Sequence, residues 1–456
     1  MLAICCLSLF MVGLDITIVN VALPTLGSEL GAGISELQWT VDAYTVALAS
    51  LLMLAGSTGD RFGRKRTFLT GLVVFSVASL LCGLAGGVTL LIVFRVLQAV
   101  GASMLNPVAM SIITNTFTEP RERAQAVGVW GAVFGVSMAL GPVVGGALVS
   151  SFGWEAIFFV NVPIGLAAMA LTVRFVPESR APRARRFDPV GHGAVFVLLA
   201  ALTYGIIEAP LRGWTSPVIV TAFALAGVAL LVLLVWEPRR DEPLIDLRFF
   251  RSTPFASSIT LSVAAFGAFG GFLFLNTLYL QNERGLSPLQ AGLATLPMAL
   301  MIVLVSPLSG RLVGRRGARA PLVIAGVCFA AAAAMLTGIG PDTSLAWVLA
   351  AYTVFGVGFG FVNAPITNAA VSGMPRAQAG VAAALATTSR QVGQTLGVAV
   401  IGAIAASHGD MTPAWWTLSA LGVVVLALGV LATTRRAGAS AQRTAAELNP
   451  EALAAR

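Results

Sequence analysis

Residues 2–24 read LAICCLSLFMVGLDITIVNVALP, and this stretch decides the class of protein. It is apolar over more than the roughly 20 residues that an α-helix needs to cross a bilayer. It also carries one acidic side chain, Asp15. Apolar runs of similar length recur along the whole chain of 456 residues. The sequence therefore predicts an all-α polytopic membrane protein.

The composition excludes most soluble functions. The chain is 57% hydrophobic and 11% charged, whereas an ordinary soluble domain carries roughly 25% charged residues. A chain with so few polar groups cannot cover a globular surface of this size, which argues against a soluble enzyme and a DNA-binding regulator. Its high apolar content also argues against a disordered protein. The net charge of +8 would suit an acidic partner, but the positions of the basic residues give another reason for it.

We predict fourteen membrane spans along the chain. Their approximate bounds are 2–23, 40–58, 67–86, 89–115, 125–150, 155–176, 190–207, 218–236, 255–280, 288–309, 321–340, 345–371, 379–406 and 414–434. Span 190–207 is the shortest, so twelve or thirteen spans is the alternative count. No basic residue precedes the first run and no small-residue cleavage site closes it, so we interpret it as a retained helix and leave open whether Met1 is the true start.

Lys and Arg residues set the predicted orientation of the spans. With a cytoplasmic N-terminus and alternating sides, 24 of the 28 basic residues fall on the cytoplasmic side. Arg212 and Arg284 fall outside, and Arg95 and Arg390 lie within spans. This asymmetry predicts that both termini are cytoplasmic, and it explains the positive net charge without any nucleic-acid partner.

Two glycine-containing loops indicate an internal repeat. Residues 59–66 read GDRFGRKR after the second span, and residues 310–317 read GRLVGRRG after the tenth span, 251 positions later. The offset indicates two related six-helix bundles with two inserted helices between them, an arrangement known from transporters with parallel repeats. The predicted domains are an N-terminal bundle at 1–176, two linker helices at 177–253, a C-terminal bundle at 254–434 and a mobile polar tail at 435–456.

Five stretches together resemble the major facilitator superfamily. They are LDITIVNVALP at 14–24, GDRFGRK at 59–65, RVLQAVGASMLNP at 95–107, GPVVGG at 141–146 and FFVNVPIG at 158–165. The first stretch and the two inserted helices are similar to the fourteen-helix drug:proton antiporter branch of that family. The resemblance covers nearly the whole chain. It implies alternating access around a central cavity, with the proton as coupling ion.

Asp15 and Arg95 are the predicted proton-coupling residues. An ionised group inside a membrane span costs about 2.5–3.5 kcal/mol on insertion scales, which makes each a functional candidate. At about 1.5 Å of rise per residue, both lie roughly 10 Å from the outer face of the hydrocarbon core. Because the resemblance places the first and fourth spans side by side, we predict that Asp15 contacts Arg95. The alternative is an ion pair that only specifies helix packing.

Five residues are predicted to line the substrate cavity: Asp15, Asp42, Gln98, Arg390 and Gln394. Asp42, about three residues inside the second span, is either a site for a cation or proton or a residue that faces the outer water. Arg390 lies near the membrane midplane, and the C-terminal half has no acid at that depth. It either binds an anionic group or pairs with the first or fourth span, and the sequence does not choose between them.

The loop after the second span is predicted to act as a cytoplasmic gate through Gly59, Asp60, Arg61, Gly63 and Arg64. The alternative is that its charges only set topology. The fifth span is predicted to carry close helix packing and a proline kink, since small residues let helices approach and proline removes a backbone donor. Its positions are Gly135, Gly141, Pro142, Gly145 and Gly146.

The leading functional prediction is a proton-coupled antiporter that exports lipophilic or cationic small molecules. An exporter of one endogenous metabolite and a non-transporting membrane sensor are the alternatives. Because the sequence has no GxxxxGK[ST] phosphate-binding loop, we predict no ATP hydrolysis and no enzymatic activity. We expect no cofactor and no metal, a monomer in the plasma or inner membrane, and partners limited to the small-molecule substrate and the lipid bilayer.

Overall fold

A computed structural model describes residues 1–180, 188–240, 243–372, 374, 378–408 and 410–448. All regular elements in these ranges are helices. This agrees with the apolar sequence, because a backbone inside a bilayer must satisfy its hydrogen bonds within its own segment. The polytopic all-helical architecture is therefore confirmed.

The first half of the chain forms nine helices in the described ranges. They are α1 (Leu2–Leu30), α2 (Ile34–Phe62), α3 (Arg64–Gly83), α4 (Val88–Thr116), α5 (Pro120–Phe152), α6 (Ala156–Phe159), α7 (Asn161–Phe175), α8 (Pro189–Arg212) and α9 (Pro217–Trp236). Two short 3₁₀ segments follow, at Glu237–Arg239 and Leu247–Arg251.

The second half forms nine more helices in its described part. They are α10 (Thr253–Leu278), α11 (Pro288–Ala294), α12 (Leu296–Arg316), α13 (Arg319–Met335), α14 (Leu345–Gly360), α15 (Asn363–Val371), α16 (Ala379–His408), α17 (Thr412–Leu431) and α18 (Arg435–Leu448). A π-helical turn, Tyr279–Glu283, continues α10.

Twelve helical segments among the described residues are long and apolar enough to cross a membrane. They coincide with twelve of the fourteen predicted spans. The other two predicted spans coincide with α13, which has only 17 residues, and with α16, whose hydropathy is lowered by Arg390, Gln391 and Gln394. A count of fourteen spans therefore stays a prediction.

The helices extend beyond the apolar runs, and this changes the depth of Asp42. Helix α2 begins at Ile34, six residues before the predicted span, so Asp42 lies more than two turns inside the helix. Its polar first turn is stabilised by a hydrogen bond of 2.8 Å from the Gly33 amide to Glu36 Oε2. Hydropathy cannot detect such a turn, because capping depends on polar side chains.

Packing divides the chain into two compact units. The first comprises Met1–Ala226 and Asn276–Ala299, and the second comprises Gly227–Leu275 and Leu300–Arg456. In the first unit α1 packs on α5, α4 packs on both α2 and α3, and α8 packs on α2. In the second unit α13 packs against α14 and α17. The domain boundaries drawn from the repeat stay predictions.

The C-terminal tail differs from the predicted mobile segment, because residues 435–448 form α18. Ala437, Ala441 and Thr444 are buried along one face of this helix, and alanine is the strongest helix former. Glu447 pairs with Arg251 at 2.9 Å. The tail is therefore docked on the short segment Leu247–Arg251, which precedes α10.

We expect Ala441→Glu to release α18, because it buries a carboxylate that has no partner on the docked face. Amide hydrogen exchange in α18 should rise by about tenfold or more in the detergent-solubilised protein. Gln442→Glu is the matched control, since Gln442 is exposed on the same helix. Equal exchange in both variants would contradict the docking.

Candidate functional site

A cluster of buried polar side chains lies inside the first unit, and we call it the Asp15 cluster. Its members come from α1, α3, α4 and α7, and at most 1% of each side chain is exposed; they are Asp15, Ser79, Arg95, Gln98 and Asn161. Charged groups are almost never fully buried unless they are paired. The cluster therefore needs a closed set of hydrogen bonds.

The two charges of the cluster are in direct contact. Arg95 Nη1 donates to Asp15 Oδ2 at 2.6 Å and to Gln98 Oε1 at 2.6 Å. The other carboxylate oxygen, Asp15 Oδ1, accepts from Gln98 Nε2 at 2.9 Å and from Asn161 Nδ2 at 3.2 Å. The structure thus contains the Asp15–Arg95 contact that was expected from the matching depths and from the family resemblance, with Gln98 bonded to both partners.

A second set of contacts surrounds these side chains and holds them in place. Ser79 Oγ accepts from Gln98 Nε2 and Asn161 Nδ2, each at 3.1 Å. Arg95 Nε donates to the Thr40 carbonyl at 3.2 Å, and the guanidinium carbon lies 4.2 Å from the centre of the Tyr44 ring. Such a ring stabilises a cation through its quadrupole. The guanidinium charge is therefore supported from α1, α2 and α4.

This arrangement can respond to a proton. A protonated Asp15 would lose its attraction for Arg95 and leave a buried cation without its counter-charge, which is costly in an apolar interior. The cluster would then rearrange or admit water. Asn161 Oδ1 and Tyr44 Oη have no hydrogen-bond partner among the described residues, so each can bond to such a water.

Sequence reasoning missed two members of the cluster. Asn161 lies in one of the stretches that resemble the transporter family, and its polar amide in an apolar span was a usable signal. Ser79 gave no signal, because isolated serines in membrane helices commonly bond to their own backbone. In this structure Ser79 Oγ instead donates to the Phe158 carbonyl at 2.9 Å, on a different helix.

Asp42 is buried apart from the Asp15 cluster. Thr45 Oγ1 donates to Asp42 Oδ1 at 3.3 Å, and Asp42 Oδ2 has no hydrogen-bond partner in the described part of the chain. At about 100° per residue, Asp42 points away from the face of α2 that carries Thr40 and Tyr44. Of the two alternatives, exposure of Asp42 to the outer water does not occur in this conformation, since none of the residue is exposed.

The inserted helix α8 is joined to α2 by a polar contact. Glu208 Oε1 accepts from Ser35 Oγ at 2.7 Å and from Trp39 Nε1 at 3.2 Å. Its other oxygen accepts from Arg212 Nε at 3.0 Å. The sequence did not single out Glu208, because an acid near a helix end is normally read as a solvated residue.

The glycine loop is tied to the segment that follows α7. Gly63 has a φ of +114°, which a residue with a side chain rarely adopts. The Lys65 amide donates to Glu178 Oε1 at 3.1 Å, so a carboxylate caps the N-terminus of α3. Asp60 Oδ1 accepts from Arg64 Nη2 at 2.8 Å, whereas Arg61 lies over the ring of its neighbour Phe62. Their role as a gate stays a prediction.

Gly59, also predicted for the gate, packs tightly against α4. A methyl group at this position would lie 2.8 Å from Val108 Cγ2. The equivalent stretch in the second half is different, because Gly310 and Gly314 lie inside α12 and the chain turns only at Gly317. The two loops of the repeat are therefore not equivalent in structure.

Helix α5 uses its glycines for close contacts. A methyl group at Gly141 would collide with Thr17 Oγ1, and one at Gly145 would lie 2.8 Å from Ile18 Cγ1, both on α1. Gly135 has open space around it, so the predicted packing is absent there. Pro142 lies inside the continuous helix Pro120–Phe152.

A reciprocal contact joins α5 to α11. Gly146 faces the carbonyl of Pro288, and Gly292 faces the carbonyl of Pro142, each too closely for an added methyl group. The Leu289 amide also donates to Ser150 Oγ at 3.1 Å. We call this pair of contacts the Gly–Pro interlock. It depends on the absence of a side chain on both helices.

The remaining predicted residues lie in the second unit. Arg390 Nη2 donates to Thr367 Oγ1 at 2.5 Å, and its guanidinium carbon is 5.7 Å from the centre of the Phe266 ring. Gln394, one turn further along α16, is buried against Gly270 of α10. Asp15 and Gln98 are enclosed inside the first unit, so substrate contact by any of the five cavity residues stays a prediction.

We expect Arg95→Gln to destabilise the protein by about 3–5 kcal/mol, because it leaves a buried carboxylate without its cation. The double variant Asp15→Asn/Arg95→Gln should be more stable than Arg95→Gln alone. The free energy of unfolding in detergent is measured for the single and the double variant. Arg212→Gln is the control and should cost below about 1 kcal/mol, since it breaks an exposed ion pair. Additive effects of the two buried substitutions would contradict a coupled pair.

We expect Gly146→Ala to destabilise the protein by about 1–3 kcal/mol, since the added methyl meets the Pro288 carbonyl. Gly135→Ala is the matched control on the same helix. It should be neutral or stabilising by up to about 1 kcal/mol, because alanine favours a helix and the site is open. Thermal unfolding compares the two, and equal losses would argue against the interlock.

Comparison with known proteins agrees with this fold. Residues 5–398 match the profile of the Major Facilitator Superfamily. The chain is 38% identical to "Multidrug resistance protein Stp" of Mycobacterium tuberculosis over 403 residues, which cover 88% of this chain and 74% of the relative. It is also 38% identical to the "Tetracenomycin C resistance and export protein" of Streptomyces glaucescens, covering 89% and 76%.

Another relative is the "Methylenomycin A resistance protein" of Streptomyces coelicolor, 36% identical over 88% of this chain and 84% of that protein. Among solved structures, a "peptide transporter POT in complex with sulfate" is similar in fold, with a TM-score of 0.70 at 17% identity, covering 96% of this chain and 95% of that chain. This chain belongs to the major facilitator superfamily.

Proposed function

We propose that this chain is a proton-coupled antiporter that exports lipophilic or cationic small molecules, as in multidrug-type efflux. Relatives at 33–38% identity are named for drug resistance, drug efflux or antibiotic export, which supports efflux. The Asp15 cluster carries the proposal of proton coupling. It holds a carboxylate and its cation fully buried between apolar helices, and such groups in spans mark proton pathways.

The coupling step starts at Asp15. A proton from the outside neutralises the carboxylate, which weakens its bond to Arg95 and frees Gln98 and Asn161 to take other partners. Release of the proton to the inside restores the ion pair. Inward movement of one proton supplies about 2.3 kcal/mol per 100 mV of membrane potential. In this proposal the ion pair is the element that has two stable arrangements.

Two sets of contacts are suited to conformational control. The Gly–Pro interlock joins α5 to the segment Asn276–Ala299, which belongs to the C-terminal half in the repeat but packs in the first unit. We assign to it closure of the outer end of the transport path. The loop with Asp60 and Arg64 is assigned to the cytoplasmic gate, where its ion pair can open and form again.

The finer architecture belongs to the same proposal. We infer fourteen spans and the fourteen-helix antiporter branch, because α13 and α16 coincide with the two predicted spans beyond the twelve long apolar segments. The distribution of 24 of 28 basic residues supports cytoplasmic termini and a plasma or inner membrane location. We further propose a monomer that uses the proton as its only coupling agent.

A narrower substrate range is the second candidate. Two of the relatives are named for one antibiotic each, tetracenomycin C and methylenomycin A. On the same fold, this chain would then export a single metabolite rather than a range of drugs. A transport screen with a panel of unrelated lipophilic compounds separates the two: several transported compounds favour the broad exporter, and one favours the dedicated exporter.

We expect Asp15→Asn to lose at least about nine-tenths of the efflux driven by a pH gradient, because the amide cannot be protonated and released. Rhodamine 123 is the probe, in proteoliposomes with an imposed gradient. Asp342→Asn is the matched control, since it makes the same change in an exposed loop and should keep full activity.

Asp15→Asn also leaves Arg95 without its counter-charge and should lower the stability, so efflux is normalised to the amount of each variant that inserts and gives a monodisperse peak in detergent. Gradient-driven efflux at the wild-type level in Asp15→Asn would rule out this residue as the coupling site. An absence of gradient-driven efflux in the wild-type protein, with a wide panel of probes, would rule out the antiporter itself.

A further inference from the structure

Arg390 is a cation inside the second unit for which the described part of the structure provides no carboxylate partner. Its Nη2 donates to Thr367 Oγ1 at 2.5 Å, while its Nε is buried and has no hydrogen-bond partner within the described ranges. No ion pair of Arg390 occurs in that part of the chain. Arg95, the other arginine within a predicted span, bonds to a carboxylate at 2.6 Å.

The ring of Phe266 lies beside the guanidinium. Arg390 lies over this ring, with its guanidinium carbon 5.7 Å from the ring centre. A ring face attracts a cation but accepts no N–H in the way a carboxylate does. The ring therefore gives the cation a surface to rest on and supplies no counter-ion.

The guanidinium keeps a large unused capacity for hydrogen bonds. It has five N–H donors in a rigid fork that matches a carboxylate, and one of them bonds to Thr367. A charge held in an apolar span without a counter-ion is costly. An anionic ligand that reaches Arg390 would remove this cost, so the site favours anions by its own electrostatics.

The surroundings of the guanidinium show from which side an anion can approach it. Phe266 packs edge-on against Phe359 with centres 5.2 Å apart, and Phe269 stacks on the same Phe359 ring at 4.2 Å. All three rings are buried, so core packing closes this side of the cation. Thr367 is exposed, so the guanidinium can be approached from the side of α15.

We propose that Arg390 and Thr367 form an anion-recognition site that binds a carboxylate group of the exported substrate. The inference rests on the proposed function, because it names a chemical class of exported compound. The carboxylate takes two parallel hydrogen bonds from the guanidinium. The transporter then accepts acidic and zwitterionic compounds and not only cations.

Binding of two dyes with the same three-ring scaffold tests the site. The carboxylate dye is 6-carboxyfluorescein and the cationic dye is rhodamine 123, each followed by fluorescence anisotropy with the full chain purified in detergent. We expect Arg390→Gln to weaken 6-carboxyfluorescein binding by about 30-fold or more and rhodamine 123 binding by less than about threefold. Arg311→Gln, an exposed arginine of the same unit, should change neither.

If Arg390→Gln does not fold, Arg390→Lys replaces it in the test, because lysine keeps the positive charge. Lysine lacks the fork, so 6-carboxyfluorescein should bind about tenfold more weakly than to the wild type. Equal losses for both dyes, unchanged binding of 6-carboxyfluorescein in both variants, or no binding of it by the wild type would overturn the site. These measurements use no pH gradient, so they stand apart from the efflux of rhodamine 123 that tests the antiporter.

Discussion

The ion pair between Asp15 and Arg95 is the interaction on which the first unit depends. Removing two charges from water costs several kcal/mol for each ion, and their attraction repays this only when the remaining donors and acceptors are also satisfied. Here that requirement brings together four helices, through Gln98, Ser79 and Asn161. The packing of α1, α3, α4 and α7 is therefore linked to the state of one carboxylate. This link between one carboxylate and the packing of four helices is the basis of the coupling role proposed for Asp15.

Much of this could be predicted from the sequence, because burial in a membrane restricts the choices. An apolar run of about 20 residues has to be helical, and the depth of a charge follows from counting residues. Counting residues placed Asp15 and Arg95 at the same depth in the membrane. The hydrogen-bond partners of the pair were harder to predict from the sequence. Ser79, for example, bonds to another helix, and such contacts depend on how the helices are rotated relative to each other. Helix ends were also misplaced where a polar turn, as at Ile34, continues the helix outside the apolar run.

The glycines of α5 show a second limit of sequence reasoning. Gly135 and Gly146 have the same chemical character and lie on one helix, yet only Gly146 meets a neighbouring backbone. The difference lies in the partner, because α11 places Pro288 beside Gly146 and its own Gly292 beside Pro142. A pattern of small residues predicts that helices can approach closely. It does not say which helix lies beside each glycine, because that depends on the packing of segments far apart in the chain.

The two halves share a repeat but carry different chemistry. In the first half a cation and a carboxylate neutralise each other and are enclosed by polar side chains. In the second half the Arg390 cation lies over the Phe266 ring and bonds to the Thr367 hydroxyl. A proton is the simplest addition that changes the first arrangement, because it abolishes one of two balanced charges. An anion is the simplest addition that completes the second, because it supplies the charge that is absent. The proposed coupling site and the proposed recognition site thus differ in charge balance, and each lies in its own unit of the chain.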